Sequence, residues 1–287
     1  MKLKVEYYDG QNTTNHVFDL TYLQFIKHLA FAGMGVHTSP YNMFRFLGFW
    51  IEFFPYWKTS ANGFHLPKVI YNDPTEHGQI SNRIGKAFAD FLAKKIYKAK
   101  YTHNFEDLMA SDGYKIKGER PDLYCDSLTT QFAIEAKGYT RKSISNKEMD
   151  KFKRQAKETW PISVHFSVAS VAYNLYKDIH VKFHDPIGDD VEYSTDLNKA
   201  LVDKYYRSIL KLIKQFGLIP SNQVDNLPQG YVAYRIPLIS QENSTYLLLH
   251  RLIVEEKWER LELNNDQYNS VSEDTYIDVD CVGLCIR

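Results

Sequence analysis

The chain has 287 residues, of which 44% are hydrophobic and 15% aromatic, and its 35 Lys and Arg balance its 35 Asp and Glu. This composition supports a substantial core and excludes a disordered or low-complexity protein, while zero net charge means that any basic surface must be a local concentration. Three cysteines, an odd number in a chain this long, point to a reducing compartment and a cytoplasmic location. No Gly/Ser-rich or Pro-rich linker and no internal repeat divides the sequence, so it reads as one large domain with elaborations.

In chain order, MKLKVEYYDG lacks the apolar run of a signal peptide and reads as a strand ending at Asp9 and Gly10. The stretch FLGFWIEFFPYW, residues 46–57, is very apolar but too short to span a bilayer, and Glu52 and Pro55 interrupt it. It is expected to be a buried helix against the rest of the protein or a partner, so no membrane contact is assigned. Residues 1–72 form an aromatic-rich N-terminal elaboration in this reading.

A helix is predicted from Asp73 to Ala99. Asp73 suits the N-cap, Pro74 the first helical position and Glu76 a capping box, and Ile80, Ile84, Ala87, Phe88, Phe91 and Leu92 form an apolar stripe. Arg83, Lys86, Lys94, Lys95, Lys98 and Lys100 against a single Asp90 make the helix a basic rod.

The segment KGERPDLYCDSLTTQFAIEAKGYTRK carries the chemistry. Alternation puts Phe132, Ile134 and Ala136 on one face and Ala133, Glu135 and Lys137 on the other; Asp126 and Ser127 supply a turn, and Leu123 and Cys125 take the face opposite Asp122 and Tyr124. A hairpin therefore sends Leu123, Cys125, Phe132, Ile134 and Ala136 to the core and brings Asp122, Glu135 and Lys137 together on the other side. Two carboxylates and an ammonium are what metal-assisted hydrolysis of a phosphodiester needs. Mg²⁺ takes oxygen ligands and keeps several waters, so Asp122, Glu135 and the carbonyl of Ala136 would suffice, with Mn²⁺ able to substitute. Lys137 would orient and deprotonate the attacking water or neutralise charge on the phosphate. Two crowded carboxylates should raise one of their pKa values in the metal-free protein.

Pro121, Asp122, Glu135, Ala136 and Lys137 resemble the signature of the PD-(D/E)xK nuclease superfamily. The resemblance implies a restriction-endonuclease-like α/β fold, a mixed central sheet flanked by helices, with residues 73–186 as the nuclease core. It also implies a helix before the acidic hairpin that often contributes a glutamate, and a second helix after the lysine strand. Glu76 thus has two readings, a helix cap or an added catalytic carboxylate in the metal shell.

After Lys137 a polar loop runs to Ser145 and a helix is predicted from Asn146 to Trp160, stopped by Pro161 and burying Met149, Phe152 and Ala156. Lys137, Arg141, Lys142, Lys147, Lys151, Lys153, Arg154 and Lys157 outnumber Glu148, Asp150 and Glu158. This is the electrostatic footprint of a phosphate-backbone binder. Arg83, Lys86, Arg141, Lys142, Lys147, Lys151 and Arg154 are the candidate nucleic-acid contacts. Gln155 joins them by the resemblance, since some family members place a glutamine near the scissile strand; its other reading is a solvated helix residue.

Strands are predicted at residues 163–172 and 178–184, a helix at 196–216 stopped by Gly217, and strands at 231–236, 246–254 and 276–281. Residues 187–287 are expected to complete the same domain. His180 and His184, and Cys281 and Cys285, are spaced too far apart on extended strands to share one zinc ion. No GxxxxGK[ST] loop is present, so no nucleotide cofactor is expected.

The expected function is a Mg²⁺-dependent DNA endonuclease, restriction-like or otherwise defensive, working as a homodimer because each site cuts one strand. Residues 41–57 are a candidate dimer or DNA contact. The alternatives are a non-cutting DNA-binding or assembly subunit on a nuclease fold, and a nuclease acting on RNA or single-stranded DNA within a larger complex.

Overall fold

A computed structural model of the chain describes residues 1–33, 48–49, 51–53, 57, 64–66, 73–127, 129–184, 195–221, 224–237, 244–261, 272 and 274–287, with only the backbone at 195–198. The architecture is mixed α/β. A seven-stranded sheet runs in the order β2 (Thr13–Asp19), β1 (Lys2–Tyr8), β7 (His180–His184), β6 (Phe166–Tyr173), β5 (Gln131–Gly138), β4 (Leu123–Asp126), β3 (Tyr101–Asn104). Pairs β1–β7 and β5–β6 are parallel and the others antiparallel.

Two helices cover one face of this sheet. Helix α1 (Tyr22–Phe31) is held by a Thr21 capping box, and α2 (Pro74–Ile96) by Asp73, whose side chain accepts the N–H groups of Thr75 and Glu76. Their apolar stripes join Leu123, Cys125, Phe132, Ile134, Ala136 and Val168 in the main core. On the other face, α3 (Phe105–Ser111) packs with Tyr124 and Ala133, and α4 (Asn146–Ala156) seats Met149 and Phe152 on Ala169 and Val171. The hairpin face read as polar is therefore a second packed layer.

Helix α4 links the parallel strands β5 and β6, because strands running the same way need a long crossover. It begins at the capping box of Ser145 and Glu148 and ends at Ala156, four residues short of Trp160. The Lys157 N–H turns back to the Arg154 carbonyl, closing the last turn before Pro161 is reached.

The remaining strands form a second sheet in the order β11 (Thr275–Ile277), β12 (Val282–Ile286), β10 (Thr245–His250), β9 (Tyr231–Ile236), β8 (Pro220–Ser221). It packs against α1 and α5 (Thr195–Gln215) and shares the main core. Two predicted strands are corrected here. Strand β10 stops at His250, whose imidazole accepts the Leu252 N–H and starts the short helix α6 (Arg251–Val254). Residues 278–281 turn instead of extending: Asp278 accepts the N–H of Val279, Asp280 accepts that of Val282, and Cys281 has φ 59°. The alternation of Ile277, Val279 and Cys281 imitates a strand, and aspartate side chains bonding to nearby backbone override it.

The basic rod is also corrected. Lys94 and Lys100 are buried, and Lys94 reaches inward to Asp278 and Asp280, both at 2.8 Å. Of the apolar stretch at 46–57, only residues 48–49, 51–53 and 57 are described. Phe49 and Phe53 are buried in the main core, with Phe53 5.8 Å from the ring of Phe25. Most of the expected contact region at 41–57 lies outside the described residues. No helix among the described residues is long and apolar enough to cross a membrane.

Candidate active site

The hairpin forms in the predicted facing, with Leu123 opposite Ile134 and Cys125 opposite Phe132. Asp122 stands one residue before β4. Its N–H still donates to the Ile134 carbonyl at 2.9 Å, but its carboxylate, through Oδ2, takes the Ala136 N–H at 3.0 Å. Pro121 precedes it with no N–H to offer, and β4 ends while β5 runs on to Gly138. A carboxylate thereby fills the place that backbone would hold farther along the ladder. Because N–H and carbonyl of one strand residue leave on the same side, the Ala136 carbonyl is directed toward this notch as well.

Asp122, Glu135 and Lys137 converge there. The Lys137 ammonium contacts Glu135 Oε1 and lies 3.8 Å from Asp122 Oδ2, while Lys86 of α2 pairs with Asp122 Oδ1 at 2.7 Å. Glu135 is fully buried, and its Oε2 has no hydrogen-bond partner among the described residues. Burial, and then the charge of Asp122, push the Glu135 carboxyl up to about 8, although Lys137 pulls the other way. For Lys137, burial opposes the charge, but Asp122 and Glu135 outweigh it and hold the ammonium above its ordinary pKa. The carboxyl raised at this site is thus Glu135, with burial the larger cause and Asp122 the second.

Lys86 reaches the site because α2 lies on β5 with almost no space between backbones. A Cβ on Gly85 would fall within 3.0 Å of the Lys137 carbonyl, and one on Gly138 within 3.0 Å of the Ser81 carbonyl. Its pairing with Asp122 was not legible in the sequence, where Lys86 reads only as a phosphate contact. Packing of Gly85 on Gly138 is the signal that could have located it.

Other predicted site residues are placed as follows. Glu76 is exposed in the first turn of α2, roughly 13 Å along the helix axis from Gly85, and is not brought to the carboxylates. Arg83 has its guanidinium 5.3 Å from the ring centre of Phe49. Arg141 stacks over Tyr139 at 4.4 Å and pairs with Glu148 at 2.5 Å. Lys142, Lys147, Lys151 and Arg154 are exposed on the loop and on α4. Gln155 is partly buried and donates to the Arg120 carbonyl at 3.2 Å, tying α4 to the segment that leads into Pro121 and Asp122.

Among the described residues no group of three or more His, Cys, Asp or Glu side chains is arranged to hold a metal ion. The donor set here is smaller: two carboxylates, one with an unpartnered oxygen, and a carbonyl facing them. That set suits Mg²⁺, which keeps several waters and needs only one or two carboxylates, and does not suit zinc. Beside Lys137 opens a cleft of about 420 Å³, lined among others by His77, Gly78, Asn82, Tyr139 and Arg141. Comparison with protein-family models, with curated proteins and with solved structures finds no match.

Proposed function

We propose that the chain is a metal-dependent endonuclease of the PD-(D/E)xK type that hydrolyses phosphodiester bonds in DNA. The observation that carries this reading is the convergence of Asp122 and Glu135 on the Lys137 ammonium, with one Glu135 oxygen buried and unpartnered. The setting supports it: a helix before the hairpin, the lysine strand inside a mixed sheet, a crossover helix after it, and exposed cations on that helix and loop.

Asp122, Glu135 and the Ala136 carbonyl would hold Mg²⁺ or Mn²⁺, which would supply a Lewis acid for the phosphate and lower the pKa of a bound water. Asp122 is fixed for this by the Ala136 N–H, so its carboxylate enters the reaction already oriented. Lys137 sits between the two carboxylates, placed to orient the attacking water or to neutralise charge on the phosphate. Lys86 balances the second oxygen of Asp122 and can turn to a phosphate when one arrives. Cutting both strands of a duplex takes two such sites, which a homodimer supplies, and a defence or restriction-type role fits that arrangement.

Asp122→Ala or Lys137→Ala should lower Mg²⁺-dependent cleavage of plasmid DNA by about 10³-fold or more while DNA binding at low salt persists. Cleavage that survives either change sinks the reading. One observation favours a second reading, a DNA-binding subunit that does not cut: Lys86 and Lys137 already pair with Asp122 and Glu135. Salt-sensitive binding with no products in Mg²⁺ or Mn²⁺, across duplex, single-stranded and RNA substrates, would select it.

A further inference from the structure

Helix α2 contains two glycines, and only one is explained by packing. Gly85 lies where any side chain would overlap the Lys137 carbonyl, whereas a Cβ on Gly78 would meet nothing among the described residues within 4 Å. Glycine weakens a helix interior relative to alanine, so Gly78 carries a cost that no neighbour requires. What its missing side chain leaves is open space, and that space is the cleft of about 420 Å³ beside Lys137.

The cleft is built from fixed parts. Its wall at Tyr139 is pinned by the Tyr139 N–H to the Ala172 carbonyl at 2.8 Å, and its wall at Arg141 by the Arg141 carbonyl, which accepts the Asn174 N–H at 2.8 Å. His77 is held through Nε2 by the Tyr176 hydroxyl at 3.0 Å. Lys137 and Arg141 are among its lining residues, with the Arg141 guanidinium stacked over Tyr139 and paired with Glu148 at the rim, and Asn82 is exposed with both a donor and an acceptor. The volume lies in the range of small-ligand pockets.

We infer that this cleft seats one nucleotide of the substrate strand, next to the phosphate that Lys137 faces, and that Gly78 is its floor. The inference deepens the nuclease reading and rests on it for the identity of the ligand. Cations for the phosphate, and amide and imidazole groups for the polar edges of sugar and base, are the chemistry a nucleotide recognises.

The test adds bulk to the floor. Gly78→Trp should reduce kcat/KM for DNA cleavage by about tenfold or more through a raised KM, while Gln79→Trp, the same bulk one position along on an exposed part of the helix, should change it by less than about twofold. In parallel, a 5′-deoxynucleoside monophosphate at about 10 mM should raise the melting temperature of the wild-type chain and of Gln79→Trp but not of Gly78→Trp. Gly78→Leu stands in should the tryptophan variant not fold. Wild-type cleavage and wild-type stabilisation by the monophosphate in both Gly78 variants would overturn the cleft and leave the nuclease reading standing. No cleavage by any form, with stabilisation lost in the Gly78 variants, would overturn the nuclease reading and leave the nucleotide cleft. Absence of both cleavage and stabilisation in the wild-type chain overturns both.

Discussion

At the scale of single residues, Glu135 is a site group whose behaviour is set strongly by its surroundings. Its carboxyl is raised from an ordinary 4.5 to about 8, first by burial and then by Asp122. A raised pKa means the folded protein holds a proton that the unfolded chain has released, so this contribution to stability is whole below pH 4.5 and is lost as pH climbs through 8. The metal-free protein should therefore melt at progressively lower temperature between about pH 5 and 8, and Glu135→Gln, which cannot ionise, should flatten that slope. A cation held by the ionised carboxylate should offset the loss, so stabilisation by Mg²⁺ should grow with pH over the same range. Melting curves with and without Mg²⁺ check both statements, and an unchanged slope in Glu135→Gln would refute the assignment of the titration to this residue. Asp122, Glu135 and Lys137 were legible in the sequence because strand alternation fixes which side chains share a face. That Glu135 would be fully buried was not legible, since burial depends on helices α3 and α4 covering that face.

At the scale of elements, the closest approach of α2 to β5 decides how the site is assembled. Gly85→Ala should destabilise the protein by about 1–3 kcal/mol, because the new methyl group must push helix and strand apart, even though alanine favours a helix by about 1 kcal/mol. Gly78→Ala, on the same helix with nothing among the described residues within 4 Å, should stabilise it. Opposite signs for the same substitution seven positions apart, measured by chemical denaturation, would confirm that Gly85 serves contact and not flexibility. The helix boundary at Asp73 could be read from capping chemistry, which is local, whereas the capping box of Ser145 and Glu148 was seen only in the structure. The turn at 278–281 could not, because the pattern of apolar residues there is the same as in a strand.

At the scale of the whole molecule, the two sheets are joined by a buried ionic cluster that no motif announced. Lys27 of α1 and Lys94 of α2 both contact Asp278 and Asp280, the Tyr205 hydroxyl donates to Asp280 at 2.6 Å, and Asp90 bonds His28 and Thr102, each at 2.5 Å. Burial works against the charge on Asp90, but Lys94 and His28 outweigh it and hold the carboxyl down at about 2; Asp278 is depressed likewise, by Lys27 and Lys94. Depressed carboxyls contribute stability that is present above their unfolded pKa, near 4, and lost as pH falls toward 2, about 2 kcal/mol for Asp90 alone. His103 adds an earlier loss: burial lowers it to about 3, so below its ordinary 6.5 the unfolded chain takes up a proton that the folded chain refuses. Acid titration of stability should show both stages. Lys94→Met should cost about 3–5 kcal/mol at neutral pH by leaving the buried carboxylates of Asp278 and Asp280 to share the single cation of Lys27, and should weaken the second, more acidic stage. A loss below about 1 kcal/mol would show that the cluster is not what couples the sheets.

What the sequence determined by itself is what rests on local periodicity and local hydrogen bonds: the hairpin and its facing, the capped start of helix α2, the start of α4, and the trio Asp122, Glu135 and Lys137. What only the tertiary structure decided is which of its charges meet. Lys86 and Lys94 are eight positions apart on one helix, yet one pairs with Asp122 at the candidate site and the other with Asp278 and Asp280 in the interior. Charge pairing depends on distance across space and on exclusion of water, and neither is written in the spacing of residues along a chain.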